Sequence, residues 1–207
     1  MKQQASLVVS HPIAPEDATR ADFYALLARL FADAPDAAML AALARAARMD
    51  GESSSIAVAW NRLIEASSAM DPAAAAQEYT DLFIGVGKSE VNLHASYWLS
   101  GFMMEKPLAN LRGSLAELGI ARRDEVATLE DHLSALCETM RLLVAGHGDR
   151  GPATLGMQRA FFERYIAPWV FECCAAIRNC PIANYYVHVA EFAREFIAVD
   201  RDALAMD

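Results

Sequence analysis

The chain has 207 residues and a formal net charge of -9, and 55% of its residues are hydrophobic, with Ala and Leu predominating. This acidic balance argues against general nucleic-acid binding, which needs clustered Lys and Arg, and it suits a partner that carries positive charge. No run of roughly 18 uncharged apolar residues predicts a membrane span. The four cysteines lack the pattern of a small secreted domain, so we expect a soluble cytoplasmic protein with reduced thiols.

The first 15 residues contain one Lys and an apolar stretch too short for a secretory signal, and we predict a flexible leader over residues 1–15. Residues 16–207 are predicted to form one all-helical domain, because Ala and Leu favour helix and strand alternation is hard to find. Thr19 and Asp22 resemble a capping box that begins the first helix. The apolar stripe of this helix has helical spacing: Phe23, Leu26, Leu27, Leu30 and Phe31.

Three more helices are predicted before the middle of the chain. An Ala-rich helix runs from Pro35 to about Met49, and serines 53–55 offer N-caps for the next one. Asp71-Pro72 has the residue types of an N-cap followed by a first-turn proline. The segment 84–92 then interrupts the helical pattern, and it is the best candidate for a hinge.

The second half of the chain repeats this pattern of helices and breaks. Pro107 is predicted to open a helix that Gly119 ends as a C-cap. A long helix is predicted from about Leu129, and Pro168 should kink or break a later helix. The last helix follows Pro181.

The sequence Gly87-Lys88-Ser89 suggests a phosphate-binding P-loop. The full motif also needs a glycine where Leu82 stands, and a strand before the loop where a helix is predicted. We therefore interpret the segment as an exposed loop between helices. A looser nucleotide contact through Gly85, Gly87 and Lys88 remains an alternative.

Two other chemical patterns are also better explained by structure. Adjacent Cys173 and Cys174 on a helix point about 100° apart and do not make a zinc-binding pair. Ser96, Asp131 and His132 have the residue types of a hydrolase triad, but no nucleophile elbow surrounds Ser96. We therefore expect no metal site and no catalytic residues, and the protein is not predicted to be an enzyme.

A cluster of aromatic, Met and His side chains follows the 84–92 segment. Most such clusters are core, but Met and aromatic residues also suit the recognition of apolar peptide segments. The members are His94, Tyr97, Trp98, Phe102, Met103 and Met104.

Three short segments follow one another along the chain: residues 78–87 (EYTDLFIGVG), Ser96-Tyr97 and residues 129–133 (LEDHL). Together they resemble segments of the TorD/DmsD/NarJ-type redox-enzyme maturation chaperones. Residues 78–87 (EYTDLFIGVG) are similar to their E-[FY]-x-x-L-F-x-G-x-G segment, and Ser96-Tyr97 is similar to their S-x-Y or S-Y element. Residues 129–133 (LEDHL) resemble their E-P-D-H helix start, with Leu129 and Glu130 in place of Glu and Pro. The Pro-rich, Trp-containing stretch of many members is replaced by residues 92–95, and residues 91–108 are most similar to members associated with formate dehydrogenase.

This resemblance implies an all-α chaperone. Such proteins bind the twin-arginine signal peptide, or another segment, of a molybdoenzyme precursor until the molybdenum cofactor is inserted before export. Some members bind guanine nucleotide weakly, and some form domain-swapped dimers. For this chain the resemblance implies a formate dehydrogenase subunit as client, no cofactor beyond weak GTP binding, and a monomer or a domain-swapped homodimer.

A site for a twin-arginine segment needs carboxylates beside an apolar groove, because arginine and carboxylate form bidentate pairs. The candidate client-binding residues are Glu90, His94, Ser96, Tyr97, Trp98, Phe102, Glu130, Asp131 and His132. Two alternatives remain open at this point: a guanine-nucleotide-binding switch that uses the 85–89 loop, and a helical regulatory domain that binds a small ligand.

Overall fold

A computed structural model describes residues 13–51, 53–103, 105–123 and 125–206, and within these ranges it contains ten α-helices and no strand. The first half contains α1 (Pro15–Ala32), α2 (Ala37–Ala44), α3 (Ser55–Ala69) and α4 (Pro72–Tyr79), which continues into a π-helical turn (Thr80–Ile84). The second half contains α5 (Ala95–Ser100), α6 (Lys106–Leu118), α7 (Leu133–Ala145), α8 (Leu155–Tyr165), α9 (Val170–Asn179) and α10 (Tyr186–Ala205). The predicted all-α fold is confirmed.

Helices distant in sequence pack around one core. α1 lies against α7, while α10 packs against α3, α8 and α9. An aromatic cluster joins α1, α3 and α10: the ring centroids of Phe23 and Trp60 each lie 5.1 Å from that of Phe192. Edge-on and tilted aromatic pairs of this kind stabilise a core beyond the area that they bury.

A buried carboxylate ties the first helix to the last. Asp200 of α10 is 1% exposed; it accepts hydrogen bonds from Arg20 Nε at 2.6 Å and from Tyr24 Oη at 2.6 Å. Burial raises the pKa of Tyr24 well above its usual value, so the phenol stays protonated and donates to Asp200. The carboxylate is therefore both charge-paired and hydrogen-bonded, as a buried ion must be.

A second buried carboxylate caps the N-terminus of α10 from another helix. Glu78 of α4 accepts hydrogen bonds from the backbone N–H groups of Asn184, Tyr185 and Tyr186 at 2.8, 2.9 and 2.8 Å. These groups have no partner within the helix itself, and a negative charge at a helix N-terminus is favourable. Glu78 thereby fixes the start of α10 against α4.

Three helix boundaries differ from the prediction. α1 begins at Pro15 rather than at the Thr19 capping box, because proline suits the first turn and the Thr19 hydroxyl donates to the Pro15 carbonyl. α2 ends at Ala44 rather than near Met49, because the Asn61 side chain hydrogen-bonds both backbone groups of Met49. α7 begins at Leu133 rather than at Leu129. Residues 1–12 of the predicted leader lie outside the described residues.

Other predicted boundaries are confirmed. The Asp71 side chain accepts from the backbone N–H groups of Ala73 and Ala74 and caps α4. Gly119 ends α6 in the left-handed conformation. The helical pattern around Pro168 is broken, since α8 ends at Tyr165 and α9 begins at Val170.

Three of the four cysteines are buried free thiols, as the sequence predicts, and Cys180 is half-buried. Cys137, Cys173 and Cys174 are buried, and burial raises the pKa of Cys174 to about 12. Across the described ranges, no cluster of His, Cys, Asp and Glu has the arrangement of a metal site. In that same part of the chain, no helix has the length and apolarity needed to cross a bilayer.

Candidate functional site

Two segments that are distant in sequence form a short junction in front of α5 and α7. The backbone N–H of Leu133 donates to the Leu93 carbonyl at 2.8 Å, and that of Ala95 donates to the Asp131 carbonyl at 2.9 Å. This antiparallel bridge pairs His94 with His132. The bridge needs extended backbone, which is why α7 starts four residues later than its apolar stripe suggests.

Asp131 lies inside this junction and holds α5 in place. Its side chain accepts from the backbone N–H of Ser96 at 2.9 Å, near the start of α5. Asp131 is 1% exposed and Ser96 is fully buried, so both predicted contact residues lie beneath the surface. The second oxygen of Asp131, Oδ1, has no hydrogen-bond partner in the described part of the chain.

The two histidines of the junction pack edge to face, with ring centroids 4.8 Å apart. Burial and the neighbouring His94 lower the pKa of His132 to about 3. Burial also lowers the pKa of His94, against the opposing charge of Asp131. His132 is therefore neutral near pH 7, and its Nδ1 accepts from the backbone N–H of Ser134 and caps α7. It acts there through hydrogen bonding rather than through charge.

The outer surface of α5 and the turn after it expose large apolar side chains. Trp98, by contrast, is half-buried, and its indole N–H donates to the Asn92 carbonyl at 2.7 Å. The Asn92 side chain in turn lies 3.6 Å from the Met103 sulfur. We define the α5 patch as Tyr97, Leu99, Phe102 and Met103, which are 36%, 41%, 71% and 42% exposed.

Carboxylates without ion-pair partners flank the α5 patch in sequence. Glu90 precedes Asn92 by two positions, and Glu105 follows Met103 by two. Both are exposed, and neither forms an ion pair with any described residue. The patch and these carboxylates combine apolar contact area with free negative charge.

Glu130 is held by arginines on a different part of the surface. Its carboxylate lies 2.9 Å from Arg112 Nη2 and 3.4 Å from Arg122 Nε. Burial alone would raise the pKa of Glu130, but the hydrogen bonds and charges of these arginines outweigh it and lower that pKa. Glu130 lines a groove beside α1 and α7, so the structure does not join it to the α5 patch.

The predicted nucleotide contacts lie in the loop after the π-helical turn. The loop follows a helix, as predicted, and not the strand of a P-loop. Gly87 and Lys88 are exposed. Gly85 has a positive φ of 65°, and a Cβ at this position would lie 2.1 Å from the Lys88 carbonyl oxygen. Gly85 thus serves the close turn of the loop, and nucleotide contact remains a prediction.

Replacing Gly85 with Ala should destabilise the protein by about 3 kcal/mol, because strain in the left-handed region adds to a backbone clash. Gly87→Ala is a matched control. Gly87 has a φ of 88°, but a Cβ there would meet nothing within 4 Å, so we expect a loss of about 1 kcal/mol from strain alone. Urea unfolding of both variants measures the difference, and equal losses would contradict the clash.

The comparisons with known proteins agree with this architecture. The family model described as nitrate reductase delta subunit matches residues 32–175. The chain belongs to the nitrate reductase delta subunit family. The resemblance to TorD/DmsD/NarJ-type maturation chaperones is thereby confirmed at the level of the family, while the association with formate dehydrogenase remains a prediction.

A solved structure of another protein has the same fold as this chain. A crystal structure assigned to a redox enzyme maturation protein from Archaeoglobus fulgidus superposes with a TM-score of 0.58. The two sequences are 16% identical, and the match covers 93% of this chain and 99% of that one. No curated protein sequence matches the chain significantly.

The segments that carry the resemblance hold the delta-subunit fold together. In the first, Glu78 caps α10, the Tyr79 hydroxyl donates to the Phe31 carbonyl at 3.2 Å, and Leu82 is fully buried. The second and third meet where Asp131 accepts from Ser96. Sequence reasoning assigned Ser96 and Asp131 to client contact without seeing this framework role.

Sequence reasoning also missed residues around the α5 patch. Asn92 joins Trp98 to Met103, while Leu99 and Glu105 are exposed beside residues that were predicted. The aromatic and Met content of the stretch was the available signal for Leu99. Nothing in the sequence signals the role of Asn92, which depends on the turn after α5.

Proposed function

We propose that this protein is a cytoplasmic, non-catalytic chaperone that binds a molybdoenzyme precursor at the α5 patch. The bound segment is the twin-arginine signal peptide, with or without part of the mature protein, and the client is a formate dehydrogenase subunit. Binding holds the precursor while the molybdenum cofactor is inserted, before export. Family membership and the shared fold support the chaperone role, and the sequence of residues 91–108 supports the client.

One observation carries the proposal for the surface. Four large apolar side chains are exposed within residues 97–103, on and after a short helix, and Glu90 and Glu105, which pair with no described residue, lie close to them in sequence. Contiguous exposed apolar side chains mark interaction sites in soluble proteins. A twin-arginine segment supplies two cations followed by an apolar stretch, which complements both properties.

The buried junction gives this surface its shape. Asp131 and His132 cap α5 and α7, and they are neither exposed nor free to meet a client directly. We infer that they act as positioning residues, because α5 has only six residues and depends on Asp131 for its start. Client contact then belongs to Tyr97, Phe102 and Glu90 among the predicted residues.

Phe102→Ser should weaken binding of a twin-arginine signal peptide by about tenfold or more, because a large exposed aromatic anchor is lost. Glu90→Lys should weaken it by about fivefold at low salt and less at high salt, because the change acts through charge. Isothermal titration calorimetry with the intact protein measures both. Val199→Ser, which removes another exposed apolar side chain on α10, is the matched control.

A peptide with both arginines replaced by glutamine should bind more weakly to the original protein and show no further loss with Glu90→Lys. The proposal fails if Phe102→Ser and Val199→Ser bind the twin-arginine peptide as well as the original protein. It also fails if neither the peptide nor a full-length formate dehydrogenase precursor binds to folded protein.

A further inference from the structure

A second surface, which includes Glu130, carries unpaired positive charge among its described residues, whereas the carboxylates near the α5 patch are negative. A groove of about 550 Å³ lies between α1, the end of α6, the loop after it, and α7. We call it the α1–α7 groove. Its apolar lining includes alanines of α1 and α7 and larger residues of α6, the loop and α7: Ala25, Ala28, Ala135, Leu115, Ile120, Val126 and Leu142.

Cations without carboxylate partners stand along this groove. Arg29, Arg122 and Arg123 all line it. Arg122 shares Glu130 with Arg112, but neither Arg29 nor Arg123 forms an ion pair with any described residue. Within the described part of the chain, Arg29 donates to the backbone carbonyl of Asp33 alone, at 3.4 Å.

The two described carboxylates that line the groove both form ion pairs. Glu130 is held by two arginines, and Glu138 pairs with Arg141 at 2.6 Å. Among the described residues that line the groove, the charged side chains without an ion-pair partner are therefore Arg29 and Arg123, in a chain whose net charge is -9. A local excess of one sign against the sign of the whole molecule steers a ligand of complementary charge to that place.

We propose that the α1–α7 groove binds an apolar, helix-forming peptide segment that carries carboxylates, supplied by the client polypeptide. Small Ala side chains along α1 let a helix approach closely, and Leu115, Ile120 and Val126 offer contacts to its apolar face. Arg29 and Arg123 pair with acidic residues beside that face. The inference rests on the proposed function only in taking the partner to be a polypeptide client.

The groove and the α5 patch thus select opposite ligands. The patch suits cations next to apolar residues, and the groove suits anions next to apolar residues. A twin-arginine segment would face Arg29 and Arg123 with like charge, which disfavours it in the groove. One client therefore engages the two surfaces through two different segments.

The test uses two synthetic amphipathic helical peptides with the same Leu-rich face, one flanked by Glu and the other by Lys. Fluorescence anisotropy is measured with full-length Phe102→Ser protein, in which the α5 patch no longer competes for the Lys peptide, and it should show that the Glu peptide binds more tightly. The double variant Arg29→Glu/Arg123→Glu should weaken the Glu peptide by about tenfold, because attraction becomes repulsion at two positions. The same variant should strengthen binding of the Lys peptide, a gain that misfolding cannot produce.

Arg45→Glu is the matched control, since Arg45 follows α2, is exposed, does not line the α1–α7 groove and forms no ion pair with any described residue. It should change neither peptide's affinity. Equal affinities of the two peptides, or an unchanged preference in the double variant, would overturn the groove proposal. Binding of the twin-arginine peptide should not change in the double variant, and it depends on Phe102 instead, so failure at one surface is distinguishable from failure at the other.

Discussion

Asp200→Ala should destabilise the protein by about 3 kcal/mol or more, since removal of one partner from a buried ion pair leaves the other uncompensated. Arg20 would lose its 2.6 Å contact, and the buried Tyr24 hydroxyl would lose its only acceptor among the described residues. Arg20 would still donate to the Asp17 carboxylate at 2.7 Å. The loss of unfolding free energy should therefore lie at the lower end of the range for buried ion pairs. For a chain of this size the melting temperature should fall by roughly 6–12 °C.

Asp202→Ala is the matched control for this change. Asp202 lies two positions later on the same helix, its side chain is 71% exposed, and it pairs only with the adjacent Arg201. Its loss should cost at most about 0.5 kcal/mol. Thermal unfolding of Tyr24→Phe and of the Tyr24→Phe/Asp200→Ala double variant separates the stability contributed by the Tyr24 phenol from that contributed by the Arg20 guanidinium. Additive losses would show that the Tyr24 hydroxyl and Asp200 do not stabilise the protein through their hydrogen bond.

Glu78→Ala should cost about 2–4 kcal/mol, because three backbone N–H groups at the start of α10 lose a charged acceptor together. Glu78→Gln should cost nearly as much, since one oxygen is replaced by a donor that faces other donors. Chemical denaturation measures both losses. Amide hydrogen exchange gives a local measurement. In Glu78→Ala, the N–H groups of Asn184, Tyr185 and Tyr186 should exchange faster than in the original protein, and their increase should exceed that in the middle of α10.

The neighbouring residue provides the control for Glu78. Gln77 lies on the same helix and is exposed, and among the described residues its side chain hydrogen-bonds to Asp81 alone. Gln77→Ala should change stability by less than about 1 kcal/mol. If Glu78→Ala behaves like Gln77→Ala, the cap on α10 contributes little and the first resemblance segment needs another physical explanation.

Helix content and most breaks followed from the sequence because they depend on local signals. Pro168, Gly119 and Asp71 act on their own neighbours, and all three predictions are confirmed. The start of α7 was misplaced because the apolar spacing of Leu129 and Leu133 fits a helix. Residues 130 and 131 instead form a turn in which the His132 N–H donates to the Leu129 carbonyl at 3.1 Å. His132 is extended and pairs with His94, a contact that no local pattern reveals.

The candidate site was predictable in content but not in arrangement. Aromatic and Met residues near position 100 indicated a recognition surface, and Phe102 and Tyr97 are exposed there. Glu130 and Asp131 were assigned to one site because they are neighbours of His132 in sequence. In the structure, Asp131 points inward and accepts a hydrogen bond from Ser96. Glu130 meets arginines from α6 and the following loop, and those partners depend on how α6 packs.

The Glu78 and Asp200 contacts bear on how this chain would exchange segments between two copies. Both contacts join residues before the 84–92 segment, the predicted hinge, to residues after it, as does the packing of α1 on α7. A swap at the hinge would have to break all of them before any could re-form with a second copy. The monomer and the swapped dimer would therefore interconvert only by crossing the unfolding barrier of the chain. The ratio of the two forms in a preparation would then depend on how the protein was folded, and not on the protein concentration at which it is stored.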